Sequence, residues 1–409
     1  MAGPLSNIRV IDLSRVLAAP WAAQNLADLG AEVIKVERPG KGDDSRAFGP
    51  PWLKNSEGAD SAESAYFLSA NRGKKSISVD ISKADGARIV RELAANADVL
   101  IENYKAGDLA RYGLGYDDLS QLNPRLIYCS LTGFGQTGPY RERPGYDFMV
   151  QGLGGVMSVT GERDDAPGGG PQRVGVPVID IITGMYASIA ICAALAHRAG
   201  DAAGRGQHID MALLDCCVAL LANQGANYLA SGAIPQRIGN AHPNIVPYQT
   251  FRTEDGDIIL AAGNDNLFQK FCAAAGCPEL AGDARFSTNA ARVANRVAIG
   301  ELLAEVFRQR TTAEWVALLD AAGVPCGPIN NIAQVFADPQ VQARGMKIEL
   351  DHALGVKAPL VRSPMRFSAT PLEFGIPPPT LGQHNEEILR ERLGRSAGEI
   401  AELKSRGVI

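Results

Sequence analysis

The sequence predicts an α/β protein whose larger part is a doubly wound, mostly parallel sheet. Three observations carry that prediction. Short β-branched runs alternate with helical stretches through the first half of the chain. The connections between the runs have the length of right-handed crossovers. The chain has 409 residues with 46% hydrophobic content, which exceeds one typical core and points to two domains.

The first strand is Ile8 to Leu13 (IRVIDL), followed by a helical stretch, WAAQNLADLG, that stops at Gly30, and by a second strand, AEVIKVE. The pattern repeats: KKSISVDI, DVLIEN and RLIYCSLTGFG read as strands, with KADGARIVRELAANA and YDDLSQLN as the helices between them. This is a Rossmann-like arrangement, yet the turn after the first strand reads SRVLAAPWAAQ and lacks GxGxxG, which argues against dinucleotide binding. Ligands of such sheets sit beyond the carboxyl ends of the strands, where Arg15, Arg38, Asn71 and Asn103 fall.

From about Asn223 the texture changes. NAHPNIVPYQTF and DGDIILAAGNDNLF read as loop, strand, Asp-Gly turn and strand, with helices around Leu267 to Ala275, Ala298 to Phe307 and Ala313 to Ala322. The expected division is therefore a large α/β domain over 1–223, a smaller α+β domain over 224–328, and a connecting segment over 329–409 that returns to the large domain. The return carries a stiff spacer, Pro377 to Pro379, and ends in the helical HNEEILRERLG and GEIAELKSRG.

Composition excludes some functions. A net charge of -5 with 21% charged residues argues against a nucleic-acid binder, so an anionic ligand has to meet a local basic cluster. Seven cysteines, odd in number and without CxxC or Cys/His spacing, suggest no metal site and a reduced, cytoplasmic protein. The amino terminus enters a strand pattern without a signal core. Even Ile179 to Ala196 is broken by Gly184 and small residues, so no membrane span is expected.

The stretch that delivers a carboxylate to a helix mouth is Val174 to Gly184, VGVPVIDIITG. Asp180 precedes an apolar helix, and two readings stay open. Its carboxylate caps the first-turn N–H groups, or it stays free to attack an activated acyl carbon. Basic residues stand beside glycines in VERPG (Arg38), NRGKKS (Arg72, Lys74, Lys75) and NYKAGDLARYG (Lys105, Arg111), which suits a phosphorylated nucleotide or merely a solvated surface. The long loop SLTGFGQTGPYRERPGYDF ends in Tyr146 and Asp147. The glycine-rich FMVQGLGGVMSVTG after it allows either backbone approach to a ligand or tight helix packing. In AAGNDNLF, Gly263, Asn264 and Asp265 form a helix cap or a mobile loop that shields a site.

Together these motifs resemble the class III CoA-transferases, the CaiB/BaiF type that includes formyl-CoA transferase and carnitine CoA-transferase. The likeness runs through VIDLSRVLAAPWAAQNLADLGAEVIKVERPGKGD, NRGKKSISVD, ADVLIENYKAGDLARYGLGY, LIYCSLTGFGQTGPY, VGVPVIDIITGMYA, GRGQHIDMALLD and FSATPLEFGIPPPTLGQHNEEIL. The resemblance implies that Asp180 forms an aspartyl acyl anhydride and then an aspartyl-CoA thioester. It also implies that CoA thioesters are substrates, with no resident cofactor and no metal, and that two chains interlock as a homodimer. Arg15, Val16, Leu17, Arg38, Asn71, Arg72, Lys74, Lys75, Asn103 and Arg111 are then expected to line the CoA cleft. Tyr146, Asp147, Gly263, Asn264 and Asp265 are expected in active-site loops. Leu17 and Asp147 depart from formyl-CoA transferase, which carries glutamine and glutamate there.

PGYDFMVQGLGG, GNAHPNIVPYQTF, GNDNLFQKF and GVPCGPINNI look most like the branch that pairs succinyl-CoA with glutarate, implying a dicarboxylate acceptor. A distal carboxylate needs a cation, and Arg15, Arg141, Arg143, Arg173 and Arg237 are the candidates. The alternatives are an acyl-CoA racemase, whose catalytic His position resembles Tyr146 here, and a non-catalytic CoA-binding protein.

Overall fold

The computed structural model describes residues 3–409. It divides into a large unit (Met1–Val156, Val174–Gly225 and Gln342–Ile409) and a small unit (Met157–Arg173 and Ala226–Val341). Compared with the expected division, the small unit also takes in 157–173 and runs on to 341.

Six strands form the sheet of the large unit: β1 (Arg9–Asp12), β2 (Glu32–Glu37), β3 (Lys74–Ser78), β4 (Val99–Glu102), β5 (Ile127–Thr132) and β6 (His208–Ala212). Every pairing is parallel and the order is β3-β2-β1-β4-β5-β6. The winding reverses between β1 and β4, so a crevice opens beyond their carboxyl ends. Both faces are covered because side chains alternate along each strand. Val10, Val33, Val99 and Ile127 pack under helices α1 (Ala18–Asp28) and α4 (Val178–Gly200). Ile11, Ile34, Ile77 and Leu100 face α2 (Ala84–Ala95) and two helices of the return, α5 (Asn385–Leu393) and α6 (Ala397–Ser405), through Ile388, Leu389, Ile400 and Leu403.

Between β5 and α4 the short helix α3 (Asp147–Leu153) ends at Gly154. A Cβ there would come within 2.3 Å of the Cys217 Sγ, so close packing explains this glycine and a ligand is not needed. Two elements lie outside the expected pattern. β6 forms the edge of the sheet, and the return segment makes an antiparallel hairpin, Lys347–Asp351 with Lys357–Val361. That hairpin buries Ala358 and Leu360 from alternate positions.

By length and composition α4 is apolar enough to cross a membrane, with a mean hydropathy of 2.0. Gly184 and the alanines do not dilute it as expected. Ile179, Ala187, Ile191 and Ala194 instead belong to the core of the large unit.

The small unit holds a three-stranded antiparallel sheet, ordered Cys326–Pro328, Asp257–Ala261 and Tyr248–Arg252. Helices Asp265–Ala275, Arg296–Phe307 and Thr312–Ala321 cover it, around Phe251, Phe271, Phe307 and Trp315. Phe251 stacks on Phe307 at 4.7 Å, and the Trp315 indole donates to the Phe307 carbonyl at 2.8 Å, so the largest side chain leaves no orphaned donor.

Candidate active site

The crevice at the strand reversal is built first from backbone. After β1 the chain turns sharply at Val16, which adopts φ +71°, a strained value for a β-branched residue. Two side chains hold that turn. Asn103, just beyond β4, accepts from the Arg15 N–H (2.9 Å) and donates to the Arg15 carbonyl (2.7 Å). Asp43 accepts from the Val16 N–H (3.0 Å) and is fixed by Ser45 and by the Lys35 ammonium at 2.8 Å. Burial alone would raise the Asp43 carboxyl, but Lys35 and the N–H groups of Val16 and Ser45 hold it at about 2. Leu17 then opens α1, and a bare Gly184 on α4 lets the two helices touch. A Cβ there would lie 2.5 Å from the Ala18 carbonyl oxygen.

Asp180 sits in the first turn of α4, and its carboxyl does not cap the helix. The acceptor for the first-turn N–H groups is Asp147, whose Oδ2 receives the N–H of Ile179 (2.8 Å) and of Asp180 (3.3 Å). Its Oδ1 accepts from Gln151 Nε2 at 2.6 Å, and Gln151 Oε1 takes the Val174 N–H at 2.9 Å. The helix mouth is thus capped from α3, and no described side chain or N–H hydrogen-bonds the Asp180 carboxyl. Burial, followed by the negative charge of Asp147, pushes that carboxyl up to about 7. The phenol of Tyr66 stands close enough to feel both carboxylates; burial first, then their charge, raise it to about 12.

Asp180 lines one cavity of the large unit together with Arg15, Val16, Leu17, Asn103, Lys105, Arg141, Arg143 and Tyr146. A carboxylate without hydrogen bonds, deprived of full hydration, is a stronger nucleophile than a solvated one, and cations around it favour anionic substrates. Among the described residues no group of three metal-ligating side chains converges.

The remaining basic residues divide sharply. Arg72 is buried against Asp28, with Nε to Oδ1 at 2.8 Å and Nη2 to Oδ2 at 2.5 Å. Lys74 is fully buried on Asp12 (2.8 Å), Asn71 Oδ1 (2.9 Å) and the Pro20 carbonyl (3.0 Å), and burial lowers it to about 8. Asn71 spends its amide on the Phe67 carbonyl at 2.8 Å. These three side chains are interior and satisfied, which corrects the expectation that they surround nucleotide phosphates. Lys75 is partly exposed but bonded to Glu387 of α5 at 2.5 Å. Arg38 is exposed at the end of β2, and Arg111 is exposed beside Asp108 at 3.1 Å. Neither lines the cavity around Asp180.

In the small unit Asn264 caps helix Asp265–Ala275, accepting from the Leu267 N–H at 2.8 Å. The fully buried Arg292 anchors the same segment through the Gly263 carbonyl (3.1 Å) and Asp265 (2.9 Å). Sequence reading missed Arg292, Asp43 and Lys35. The run GDDSR carries a capping signal for Asp43, whereas nothing local marks the other two.

The comparisons agree with this architecture. Residues 5–385 match the family described as CoA-transferase family III. A succinate–glutarate CoA-transferase of Agrobacterium fabrum is 51% identical over 388 residues, covering 95% of each chain. The human succinyl-CoA:glutarate CoA-transferase is 45% identical over 406 residues, 99% of this chain and 90% of that one. The crystal structure of a CaiB/BaiF family protein from Brucella suis superimposes with a TM-score of 0.83 at 52% identity, covering 96% of this chain and 100% of the other. On this evidence the chain belongs to CoA-transferase family III, the CaiB/BaiF type, and is a CoA-transferase.

Proposed function

We propose that this enzyme moves CoA from succinyl-CoA to a dicarboxylic acid such as glutarate, with Asp180 as the covalent nucleophile. The observation that carries the reading is the Asp180 carboxyl itself, raised to about 7 and left without hydrogen bonds because Asp147 caps the helix in its place. The two relatives named for succinate or succinyl-CoA and glutarate support the substrate pair.

In the first step the Asp180 carboxylate attacks the thioester carbonyl and expels CoA thiolate, leaving a mixed anhydride. The thiolate then attacks the aspartyl carbon of the anhydride, releasing the donor acid and forming an aspartyl-CoA thioester. The acceptor carboxylate displaces the thiolate to give a second anhydride. Attack of the thiolate on the acceptor's acyl carbon then releases the new thioester and restores Asp180. No water and no net proton enter, so thioester energy is conserved, and exclusion of water protects each intermediate. Arg15, Val16 and Leu17, pinned by Asn103 and Asp43, form the turn on which the thioester rests. Arg38 remains open to the nucleotide, and Arg111, exposed beside Asp108, reaches it by exchanging that surface partner.

Exposed Met185, Tyr186 and Ile189 on α4 support an interlocked homodimer that covers this apolar face. Seven unpaired cysteines suit a reducing, cytoplasmic compartment. Incubating the enzyme with succinyl-CoA and a series of dicarboxylates, and separating the acyl-CoA products, tests the substrate pair. Glutaryl-CoA is expected among the best products; failure of succinyl-CoA to donate CoA to any dicarboxylate would contradict the assignment.

A further inference from the structure

The proposed dicarboxylate specificity leaves one chemical requirement open: something must hold the carboxylate that does not react. We infer that Arg143 is that residue, a specificity determinant that binds the distal carboxylate of donor and acceptor; the inference rests on the dicarboxylate reading above.

Of the five candidate arginines, three line the cavity that contains Asp180: Arg15, Arg141 and Arg143. Arg173 and Arg237 lie in the small unit, where Arg237 is bonded to Asp164. Within the cavity the three differ in what already neutralises them. Arg15 donates to Asp44 at 2.9 Å, and Arg141 to Glu142 at 2.8 Å. Arg143 faces aromatic rings instead, 4.5 Å from the Tyr140 centroid and 5.4 Å from that of Phe134, and no described carboxylate pairs with it. A guanidinium lying over rings is held in orientation through its face. The N–H groups along its edge stay free for a bidentate carboxylate.

The loop that carries Arg143 is also held. Gly133 and Gly145 meet backbone to backbone at its neck. A Cβ on Gly145 would stand 2.3 Å from the Gly133 Cα, and a Cβ on Gly133 would stand 2.6 Å from the Gly145 Cα. Phe134 and Tyr140 pack edge to face at 5.5 Å inside the loop, and the Arg143 N–H donates to the Tyr140 carbonyl at 2.8 Å. Two residues past Gly145, Asp147 caps the helix that presents Asp180. The cation and the cap of the nucleophile's helix thereby share one short stretch of chain, and hydrogen bonds from the N–H groups of Ile179 and Asp180 to Asp147 tie the nucleophile to it, as selection of acids by length requires. Lys105 also lines the cavity, but it follows Asn103 just past β4, beside the Arg15 turn on which the proposed mechanism rests the thioester.

The test compares kcat/KM for glutarate and for pentanoate, which has the same chain length without the second carboxylate, in wild type, R143Q, R143K, R141Q and K105Q. Each is assayed with succinyl-CoA as donor, and with butyryl-CoA against succinyl-CoA on the donor side. Loss of a charged, bidentate partner should lower the glutarate-to-pentanoate ratio by about 10- to 100-fold in R143Q. R143K should recover part of the preference, and R141Q and K105Q should move it far less. A preference kept in R143Q, or lost equally in R141Q or K105Q, overturns the role of Arg143 while leaving the dicarboxylate reading intact. So does an equal loss with both acids in an R143Q that unfolds at the wild-type temperature. A wild-type enzyme without preference for glutarate over pentanoate overturns both.

Discussion

Two groups of charged side chains stand in the large unit, and they are in opposite states. Around β1 to β3, Asp12, Lys35, Asp43 and Lys74 are buried and mutually paired, with Lys35 at 2.8 Å from Asp43 and Lys74 at 2.8 Å from Asp12. At the mouth of α4 the Asp180 carboxyl has no described hydrogen bond, and the Arg143 guanidinium lining the same cavity has only rings for described partners. The first group spends its charge on geometry: it fixes Asp43, which fixes the strained Val16. The second, on the proposed mechanism, keeps its charge for substrate. Residue type does not separate the two groups; what separates them is whether the fold supplies a counter-charge.

The contrast is sharpest if each group is broken in turn. Asp180→Ala should lower CoA transfer by about four orders of magnitude or more, as loss of a covalent nucleophile does. CoA binding, measured by calorimetry, should survive, because the nucleotide is held elsewhere. Lys35→Ala should instead act on folding. Removing one partner from a buried ion cluster leaves Asp12 and Asp43 undercompensated and should cost about 3–5 kcal/mol in urea unfolding. A Lys35→Ala protein of wild-type stability would show that the cluster is not needed to hold the turn.

The pH dependence separates the two carboxylates at the helix mouth. Asp180 must be ionised to attack, so donor kcat/KM should fall as pH drops through about 7. Asp147→Asn removes the like charge, and that limb should move to lower pH while remaining above the ordinary carboxylate range, because burial persists. Stability carries the opposite sign. A folded carboxyl raised above its unfolded value binds more protons in the native state, so this group costs stability as pH rises from about 4 through about 7. Asp180→Asn should therefore be more stable than wild type by about 1–2 kcal/mol at pH 8, discounted for partial exposure, and about equal at pH 4. Equal thermal midpoints at both pH values would contradict the raised carboxyl. The smallest effect is expected at Arg38. With no partner among the described residues to leave behind, Arg38→Ala should raise the KM for acyl-CoA by about threefold to tenfold with little change in kcat; an unchanged KM would remove it from the nucleotide's path.

Much of this was legible in the sequence, and the failures share one cause. The sheet, the helix after VGVPVID and the small unit's hairpin follow from local periodicity and turn signals, which act over a few residues. Strand β6 escaped notice because His208 to Ala212 is a five-residue edge strand with little burial. Asp180 could be located but not assigned a role, since the residue that relieves it of capping, Asp147, is 33 positions away. Arg72 and Lys74 looked like open cations beside a glycine, yet their partners Asp28 and Asp12 lie 44 and 62 positions off. Distant pairing is fixed by sheet order, and no short pattern encodes it.

Acylation of Asp180 is the step on which the proposed mechanism turns, and intact-protein mass spectrometry reads it. Wild type and Asp180→Ala are mixed with succinyl-CoA and then with hydroxylamine, followed by peptide mapping. A hydroxamate is expected on Asp180 in the wild type and none in the variant. A wild-type enzyme that turns over succinyl-CoA without any Asp180 adduct, or a variant that still transfers CoA, would contradict it.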